Sequence, residues 1–232
     1  MEKLIFALPI LYGLIHLMEY MSYFARVSGW LMGYKLLGYS IQQMFFVVTR
    51  FAFIAFMPIL GFIVDNKINK HVFINIMQAS LLCASFMYCL VFLFRTRIIN
   101  LISNYIIKMN KGIKDIKHKN YNSDINISSI IKYKKYIFFS MIVFSCYSLG
   151  VFVAFYFSIL YYDYRVTISQ LSGIINGLAT VLLTFVIEPK ISYFFDEDNP
   201  DVLSIFYALL LGRLLAVLVL SQVIVFLLSM FY

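Results

Sequence analysis

Long apolar runs alternate with short polar segments along this chain. Six of the runs reach the length of about 20 residues that a helix needs to cross the hydrocarbon core of a bilayer. They cover residues 4–24, 39–64, 72–94, 137–161, 167–187 and 202–232. The pattern predicts an all-α integral membrane protein with six transmembrane helices.

A polar stripe interrupts the first of these spans. Tyr12, His16, Glu19, Tyr23 and Arg26 follow a 4-3-4-3 spacing, which at about 100° per residue places them within an arc of roughly 80° on one helix face. An ionised group near the bilayer centre costs from about 2.5 to above 10 kcal/mol, so the stripe is expected to face the bundle interior or a wet cavity. Two interpretations stay open: a functional stripe that couples to transport, or a satisfied charge cluster that only fixes helix packing.

Two further arginines lie deep inside other spans. With a rise of about 1.5 Å per residue, Glu19 lies about 9 Å, Arg50 about 15 Å and Arg213 about 17 Å from the same membrane face. With Arg26 at its mouth, this set predicts a cationic path for a diphosphate, because guanidinium is permanently charged and forks onto phosphate oxygens. Glu19 is expected to hold an arginine while the site is empty, and the depths predict a Glu19–Arg50 pair in at least one state.

The fifth span has a face of small residues. Gly173 and Gly177 form a Gly-x-x-x-Gly pattern, and serine, threonine and asparagine make up the rest of the face. Because small side chains let helix backbones approach each other, close helix packing is expected on this face.

The ends of the second and fifth spans resemble each other. One reads FIVDNKIN and the other FVIEPKIS, with an aromatic residue, two β-branched residues, an acid, a lysine and an isoleucine in register. The alignment pairs Asp65 with Glu188 and Lys67 with Lys190. An odd number of spans per unit inverts the second unit, so these charges are predicted at opposite membrane faces, as gating or structural groups.

The repeat divides the chain into two three-helix units, residues 1–94 and 137–232, joined by a basic linker at 95–136. Within the linker, isoleucines at helical spacing alternate with lysines, which fits either a helix on an anionic membrane surface or a solvated loop. Thirteen lysines and arginines lie on the face that holds this linker, against four on the other. The positive-inside rule therefore predicts a cytoplasmic linker and both termini outside.

Composition narrows the class of protein. The chain is 62% hydrophobic and 13% charged, with mean hydropathy +0.88, and its net charge of +8 is concentrated in the linker, so nucleic acid is not an expected partner. Cys83, Cys89 and Cys146 are odd in number and lie in the spans, which argues against a disulfide framework or a thiolate metal site. The start, MEKLIFALPILYG, lacks the cleavage site of a signal peptide and is read as the first membrane helix.

Catalytic chemistry is not expected. The histidines are His16, His71 and His118, with no H-E-x-x-H motif and no other pairing with acids at zinc-ligand spacing. Ser172 lacks the small-residue context of an intramembrane serine protease, and His16 is its only candidate partner. No nucleotide-binding loop is present in the sequence. These observations predict a transport or assembly protein with no enzyme activity, cofactor or metal.

Several runs together resemble one known family. HLMEYMSYFARVSGW and VVTR, then PILGFIVD, and later ATVLLTFVIEPKIS and LGRLLA, are similar to the Amj family of lipid II flippases, the alternates to MurJ. The likeness covers about residues 1–70 and 170–220, with little in the basic linker and in the fourth span. The charged positions inside the matching runs are His16, Glu19, Arg26, Arg50, Asp65, Glu188, Lys190 and Arg213.

The resemblance implies a function. It predicts that the chain moves an undecaprenyl-diphosphate-linked peptidoglycan precursor, lipid II, across the bacterial cytoplasmic membrane, with the headgroup in the cationic cavity and the prenyl tail among membrane lipids. Six helices make a small container for that headgroup, so a homodimer or a groove open sideways to lipid is expected. The alternatives are a flippase of another polyprenyl-phosphate-linked glycan and a non-transporting scaffold or regulator. A scaffold predicts a closed, dry interior, and a flippase predicts an open groove lined by the stripe.

Overall fold

The computed structural model describes residues 2–109 and 126–231, and helices form nearly all of this part of the chain. The helices are α1 (Glu2–Leu31), α2 (Lys35–Asp65), α3 (Lys70–Leu93), α4 (Arg95–Met109), α5 (Ile127–Ile131), α6 (Lys134–Leu160), α7 (Arg165–Ser169), α8 (Leu171–Leu182), α9 (Glu188–Asp196), α10 (Val202–Leu215) and α11 (Ser221–Phe231). Helices α7 to α9 form one continuous span, and α10 with α11 forms another. Six spans are long and apolar enough to cross a membrane, so the six predicted spans are confirmed and the chain is a multi-pass membrane protein.

The spans pack in two groups. α1 contacts α2, α3 and α4 along its length, and α6 contacts α8 and α10. α3 and α6 join the groups, with smaller contributions from α2 and α11. The stripe on α1 therefore lies at the centre of the bundle. The inverted relation between the two halves stays a prediction.

The connection between α1 and α2 is shorter than expected. The predicted spans 4–24 and 39–64 leave residues 25–38 as the connection, but α1 continues to Leu31 and α2 begins at Lys35. Gly29 and Gly38 bring the two helices together, because a Cβ on Gly38 would lie 2.7 Å from the Ala25 carbonyl oxygen. The reversal is completed at Gly33, whose φ of 77° lies in the left-handed region that glycine tolerates.

The predicted close packing on the small face of the fifth span is wrong for its two glycines and right for other residues of that face. A Cβ built on Gly173 or Gly177 meets no atom within 4 Å. Ser172 is buried, and a Cβ on Gly150 of α6 would lie 2.7 Å from Oδ1 of Asn176. The two glycines of α8 are therefore exposed.

Two π-helical turns break the α-helical register of the last two spans. One comprises Leu183–Ile187, directly before Glu188, and the other comprises Ala216–Leu220, shortly after Arg213. Turns of this kind are rare and are frequently found at functional sites. Both lie next to a charged residue that the sequence had singled out.

The first part of the basic linker is the helix α4. Ile99 and Ile106 are buried against the bundle, where the Ser28 hydroxyl donates to the Ile99 carbonyl oxygen at 3.2 Å. Leu101 and Tyr105 are exposed on the opposite side. The linker lysines and isoleucines between 110 and 125 lie outside the described residues, so the choice between a surface helix and a solvated loop stays open.

Candidate functional site

All five residues of the stripe face the bundle interior. Their exposed fractions are 0% for Tyr12, 2% for His16, 8% for Glu19, 5% for Tyr23 and 5% for Arg26. The helical spacing therefore identified a buried face. The hydrogen-bond and ion-pair partners of the stripe come from four other spans.

Arg213 of α10 is the partner of Glu19. The two side chains form an ion pair between Nη2 and Oε2, with Arg213 only 1% exposed. Arg213 also donates from Nε to the Tyr88 hydroxyl at 3.0 Å, and its Cζ lies 4.2 Å from the centroid of the Phe144 ring. Aromatic faces and one carboxylate thus replace the water that a guanidinium otherwise requires.

His16 extends this cluster. Its Nδ1 lies 2.6 Å from the Tyr88 hydroxyl and 3.5 Å from Oε2 of Glu19. The Tyr20 ring stacks on Tyr88 at a centroid distance of 4.4 Å. One turn away, the Tyr12 hydroxyl donates to the Ser148 carbonyl oxygen at 2.7 Å. The first span is therefore tied to α3, α6 and α10 through polar contacts in the interior.

Arg50 occupies a different position from the one expected. It was predicted to be buried and to pair with Glu19 in at least one state. In this structure Arg50 is exposed and Arg213 is the partner of Glu19, so a Glu19–Arg50 pair in another state stays a prediction. The depth estimate placed Arg50 at a suitable height, but depth along the membrane normal does not fix which way α2 faces. Arg50 faces a cavity instead.

Arg26 forms the second buried ion pair. Its Nη1 donates to Oε2 of Glu188 at 2.7 Å, and its Nη2 donates to the Ser192 hydroxyl at 2.5 Å. The rings of Tyr39 and Phe195 lie 5.0 Å and 5.2 Å from its Cζ. Glu188 and Ser192 are one turn apart on α9, so a single face of that helix binds the guanidinium.

A cavity of about 620 Å³, here called the polar cavity because charged side chains reach its wall, lies between α2 on one side and α8 and α9 on the other, and apolar side chains make up much of the wall. Its charged lining consists of Arg50, Glu19 and Glu188. Each of the two carboxylates has an arginine as its partner, Arg213 or Arg26, and neither arginine is part of the cavity wall. Other polar residues on the wall are Tyr39, Gln43, Thr49, Tyr147, Asn176, Thr184 and Ser192.

The cavity lies where two spans are splayed apart. α2 packs mainly on α1 and α8 packs mainly on α6, whereas α2 and α8 barely contact each other. Gly173 lines the cavity from the open face of α8. A polar space is therefore present beside a gap between two helices that are apolar enough to cross the membrane.

A smaller cavity of about 330 Å³, here called the entrance cavity, adjoins the first and shares Tyr39 and Ser192 with it. Its charged lining consists of Arg26, Lys35 and Asp196. Lys35 forms an ion pair with Asp198 at 3.0 Å, to which the Trp30 indole also donates at 2.9 Å. These contacts join the α1–α2 turn to the loop after α9.

A second ion pair joins α2 to the fifth span at the opposite end. Arg165 Nε lies 2.8 Å from Oδ1 of Asp65, and the Tyr162 hydroxyl donates to the Asp65 carbonyl oxygen at 3.2 Å. Lys67 lies over the Tyr162 ring, with its Nζ 5.3 Å from the centroid. Asp65 and Lys67 are therefore grouped together. Their proposed counterparts are separate, since Glu188 binds Arg26 and Lys190 lies over the Tyr136 ring at 5.7 Å.

Sequence reasoning missed three functional candidates. Tyr88 bridges His16 and Arg213, Ser192 binds Arg26, and Tyr147 lines the polar cavity. A tyrosine in an apolar span is common, so nothing distinguished Tyr88 or Tyr147 in advance. Ser192 was detectable, because it lies four residues after Glu188 and therefore on the same helix face.

Comparison with known proteins gives two matches. The family model Amj, described as Alternate to MurJ, matches residues 93–231, more than half of the chain. The lipid II flippase Amj of Bacillus subtilis (strain 168) is 26% identical over 206 residues, which covers 79% of this chain and 77% of that protein. The family match includes the linker and the fourth span, where little likeness was expected, so that expectation was wrong. No solved structure matches the chain.

Proposed function

The chain belongs to the Amj family, and on that premise we propose that it moves lipid II across the bacterial plasma membrane. The observation that carries the proposal is the polar cavity beside the gap between α2 and α8. Charged side chains on the wall of a cavity of about 620 Å³ inside apolar spans are expensive to maintain, and ionisable residues in such spans usually mark the path of a substrate or ion. A protein that only holds helices together has no need of one.

The headgroup path starts at the entrance cavity. Arg26 and Lys35 on its wall offer two cations to an incoming diphosphate when their ion pairs with Glu188 and Asp198 open. Arg50 is the next guanidinium along the path, on the wall of the polar cavity. Arg213 lies behind Glu19 as a third guanidinium, which becomes available when that carboxylate is displaced.

The prenyl tail stays in the bilayer. The gap between α2 and α8 lets a tail project sideways while the diphosphate lies in the cavity. At about 620 Å³ the cavity is small for a disaccharide with an attached peptide, so part of the headgroup travels outside it. A homodimer would enlarge the container, and it stays a prediction.

Ion pairs join α2 and α1 to the fifth span on either side of this path. Asp65–Arg165 closes one end, and Lys35–Asp198 with Arg26–Glu188 closes the other. Opening one set while the other stays closed would expose the cavity to one membrane face at a time. Asp65 and Glu188 act in this proposal as gating charges at the two ends.

Rescue of a bacterium depleted of its own lipid II flippase tests the proposal. The expected result is growth, together with lipid II that is accessible at the outer face, normalised to the membrane abundance of this protein. A chain that inserts at normal levels without exposing lipid II is a scaffold or regulator. Exposure of a different polyprenyl-linked glycan, without lipid II, would assign it another substrate.

A further inference from the structure

Two charged side chains lie one behind the other at one wall of the polar cavity. Glu19 lines the cavity, and Arg213 lies behind it at 1% exposure, in direct contact with the carboxylate. A phosphate that enters the cavity meets the carboxylate before the guanidinium. Arg213 can turn to that phosphate only if Glu19 releases it.

His16 lies close enough to Glu19 to replace Arg213 as the partner of that carboxylate. Its Nδ1 lies 3.5 Å from Oε2 of Glu19, the same oxygen that pairs with Arg213. The Tyr88 hydroxyl joins the two, since it lies 2.6 Å from His16 Nδ1 and accepts from Arg213 Nε at 3.0 Å. The other imidazole nitrogen, Nε2, is buried without a hydrogen-bond partner in the described part of the chain.

We infer that His16 and Glu19 together form a proton-binding site, which takes up one proton when Arg213 leaves Glu19 for the phosphate of a bound polyprenyl diphosphate. This inference rests on the proposed function and adds the proton as a second, coupled ligand. The side-chain hydrogen bond of His16 is the one with Tyr88, inside the same cluster.

The charge balance of the exchange requires the proton. With a neutral imidazole, Glu19 and Arg213 cancel. If the guanidinium turns to the phosphate, Glu19 becomes an unpaired buried carboxylate, which is unfavourable in a low-dielectric interior. A proton restores neutrality on either residue, as a carboxylic acid or as an imidazolium–carboxylate pair, and it belongs to the pair as a whole.

The proton reaches the pair through the polar cavity, because Glu19 lines that cavity and His16 does not. It leaves by the same route when the phosphate departs and Arg213 returns. Other titratable or charged groups that face the pair come from α1 (Tyr12, Tyr20, Tyr23), α2 (Arg50), α3 (Tyr88), α6 (Tyr147), α9 (Glu188) and α10 (Arg213).

Calorimetric binding of a farnesyl-diphosphate-linked hexose to the full chain in lipid nanodiscs tests the inference. The probe is a diphosphate diester without a group that titrates near neutral pH, so any proton taken up belongs to the protein. Titrations in two buffers of different ionisation enthalpy are expected to reveal uptake approaching one proton between about pH 5 and 8. Binding should weaken by up to about tenfold for each unit of rising pH in that range.

Glu19→Gln is expected to abolish both the uptake and the pH dependence, since an amide takes up no proton. Asp201→Asn is the matched control, because that carboxylate pairs with Lys132 at 2.8 Å outside the cavity and should leave the uptake unchanged. Binding by the wild type without proton uptake overturns the inference, even if Glu19→Gln fails to insert. Equal uptake by Glu19→Gln also overturns it. Failure of the cellular rescue would instead overturn the proposed function.

Discussion

Glu19 of the first span and Arg213 of the last form an ion pair in the interior of the bundle. The pair joins the first and the last transmembrane span. Glu19 lines the polar cavity, whereas Arg213 does not. A buried ion pair contributes little net stability compared with apolar packing, but loss of one partner is costly. Both partners are therefore needed for stability, whereas the proposed transport requires that they separate.

The first prediction concerns the stability of this pair. Glu19→Gln and Arg213→Gln should each cost about 3–5 kcal/mol, because each leaves an uncompensated buried charge. The double variant should cost clearly less than the sum of the two. Thermal unfolding of the purified chain in detergent measures the effect. The exposed Lys132–Asp201 pair is the control and should respond little, and additive losses at Glu19 and Arg213 would contradict a direct pair.

The second prediction separates anion binding from charge alone. Arg50 is exposed to the polar cavity and has no role in the buried cluster. Arg50→Lys keeps the charge but loses the planar fork, so lipid II exposure should fall while membrane abundance stays normal. Arg50→Gln should reduce it further. Arg97→Lys on the exposed side of α4 is the control, and full activity of Arg50→Lys would refute diphosphate binding by this residue.

Arg213 is a poor choice for the same experiment. Its guanidinium is in contact with a carboxylate, a hydroxyl and several rings. Arg213→Lys should therefore lower both protein abundance and activity. If activity falls at unchanged abundance, the arginine itself takes part in transport.

The third prediction concerns orientation. In a background without Cys83, Cys89 and Cys146, Asn122→Cys should react with a membrane-impermeant thiol reagent only from inside the cell. Lys67→Cys, in the turn between α2 and α3, should react only from outside. The reason is the excess of lysine and arginine on the linker side. The reverse labelling pattern would interchange the two ends of the proposed path.

The fourth prediction compares two glycines in helices. A Cβ on Gly212 would overlap the Ile137 carbonyl oxygen and lie 2.7 Å from Cβ of Ser140, so Gly212→Ala should destabilise the chain by about 1–3 kcal/mol. Gly177→Ala meets open space and should leave stability unchanged or raise it by up to about 1 kcal/mol. Unfolding temperatures measured side by side decide this. A large loss at Gly177 would indicate that a second copy packs on α8.

Helical periodicity accounts for the part of the fold that could be predicted. The number of spans and the inward direction of Tyr12, His16 and Glu19 follow from apolar length and from 3.6-residue spacing. The partner of Glu19 did not follow, because rise per residue gives a depth but not a rotation of one helix against another. Arg50 and Arg213 have similar depths, and only tertiary packing directs one to Glu19 and the other to the cavity.

Close packing was also assigned to the wrong glycines. Gly173 and Gly177 matched a known packing pattern, but close approaches occur at other glycines without that motif, among them Gly38, Gly150 and Gly212. A spacing pattern shows which helix face carries small side chains. It does not show whether another helix packs against that face. The same limit applies to Tyr88, whose role depends on two residues far away in sequence.

Because the π turn at Leu183–Ile187 directly precedes Glu188, the contact between Arg26 and Glu188 depends on how many residues the turn contains. Such a turn holds an extra residue compared with an α-helix. At about 100° per residue, a regular α-helix with the same number of residues would rotate Glu188 by more than a quarter of a circle relative to α8. The carboxylate would then point away from Arg26. A family member with a regular α-helix here must carry its acid one position earlier, with one residue fewer before it, to meet the same arginine.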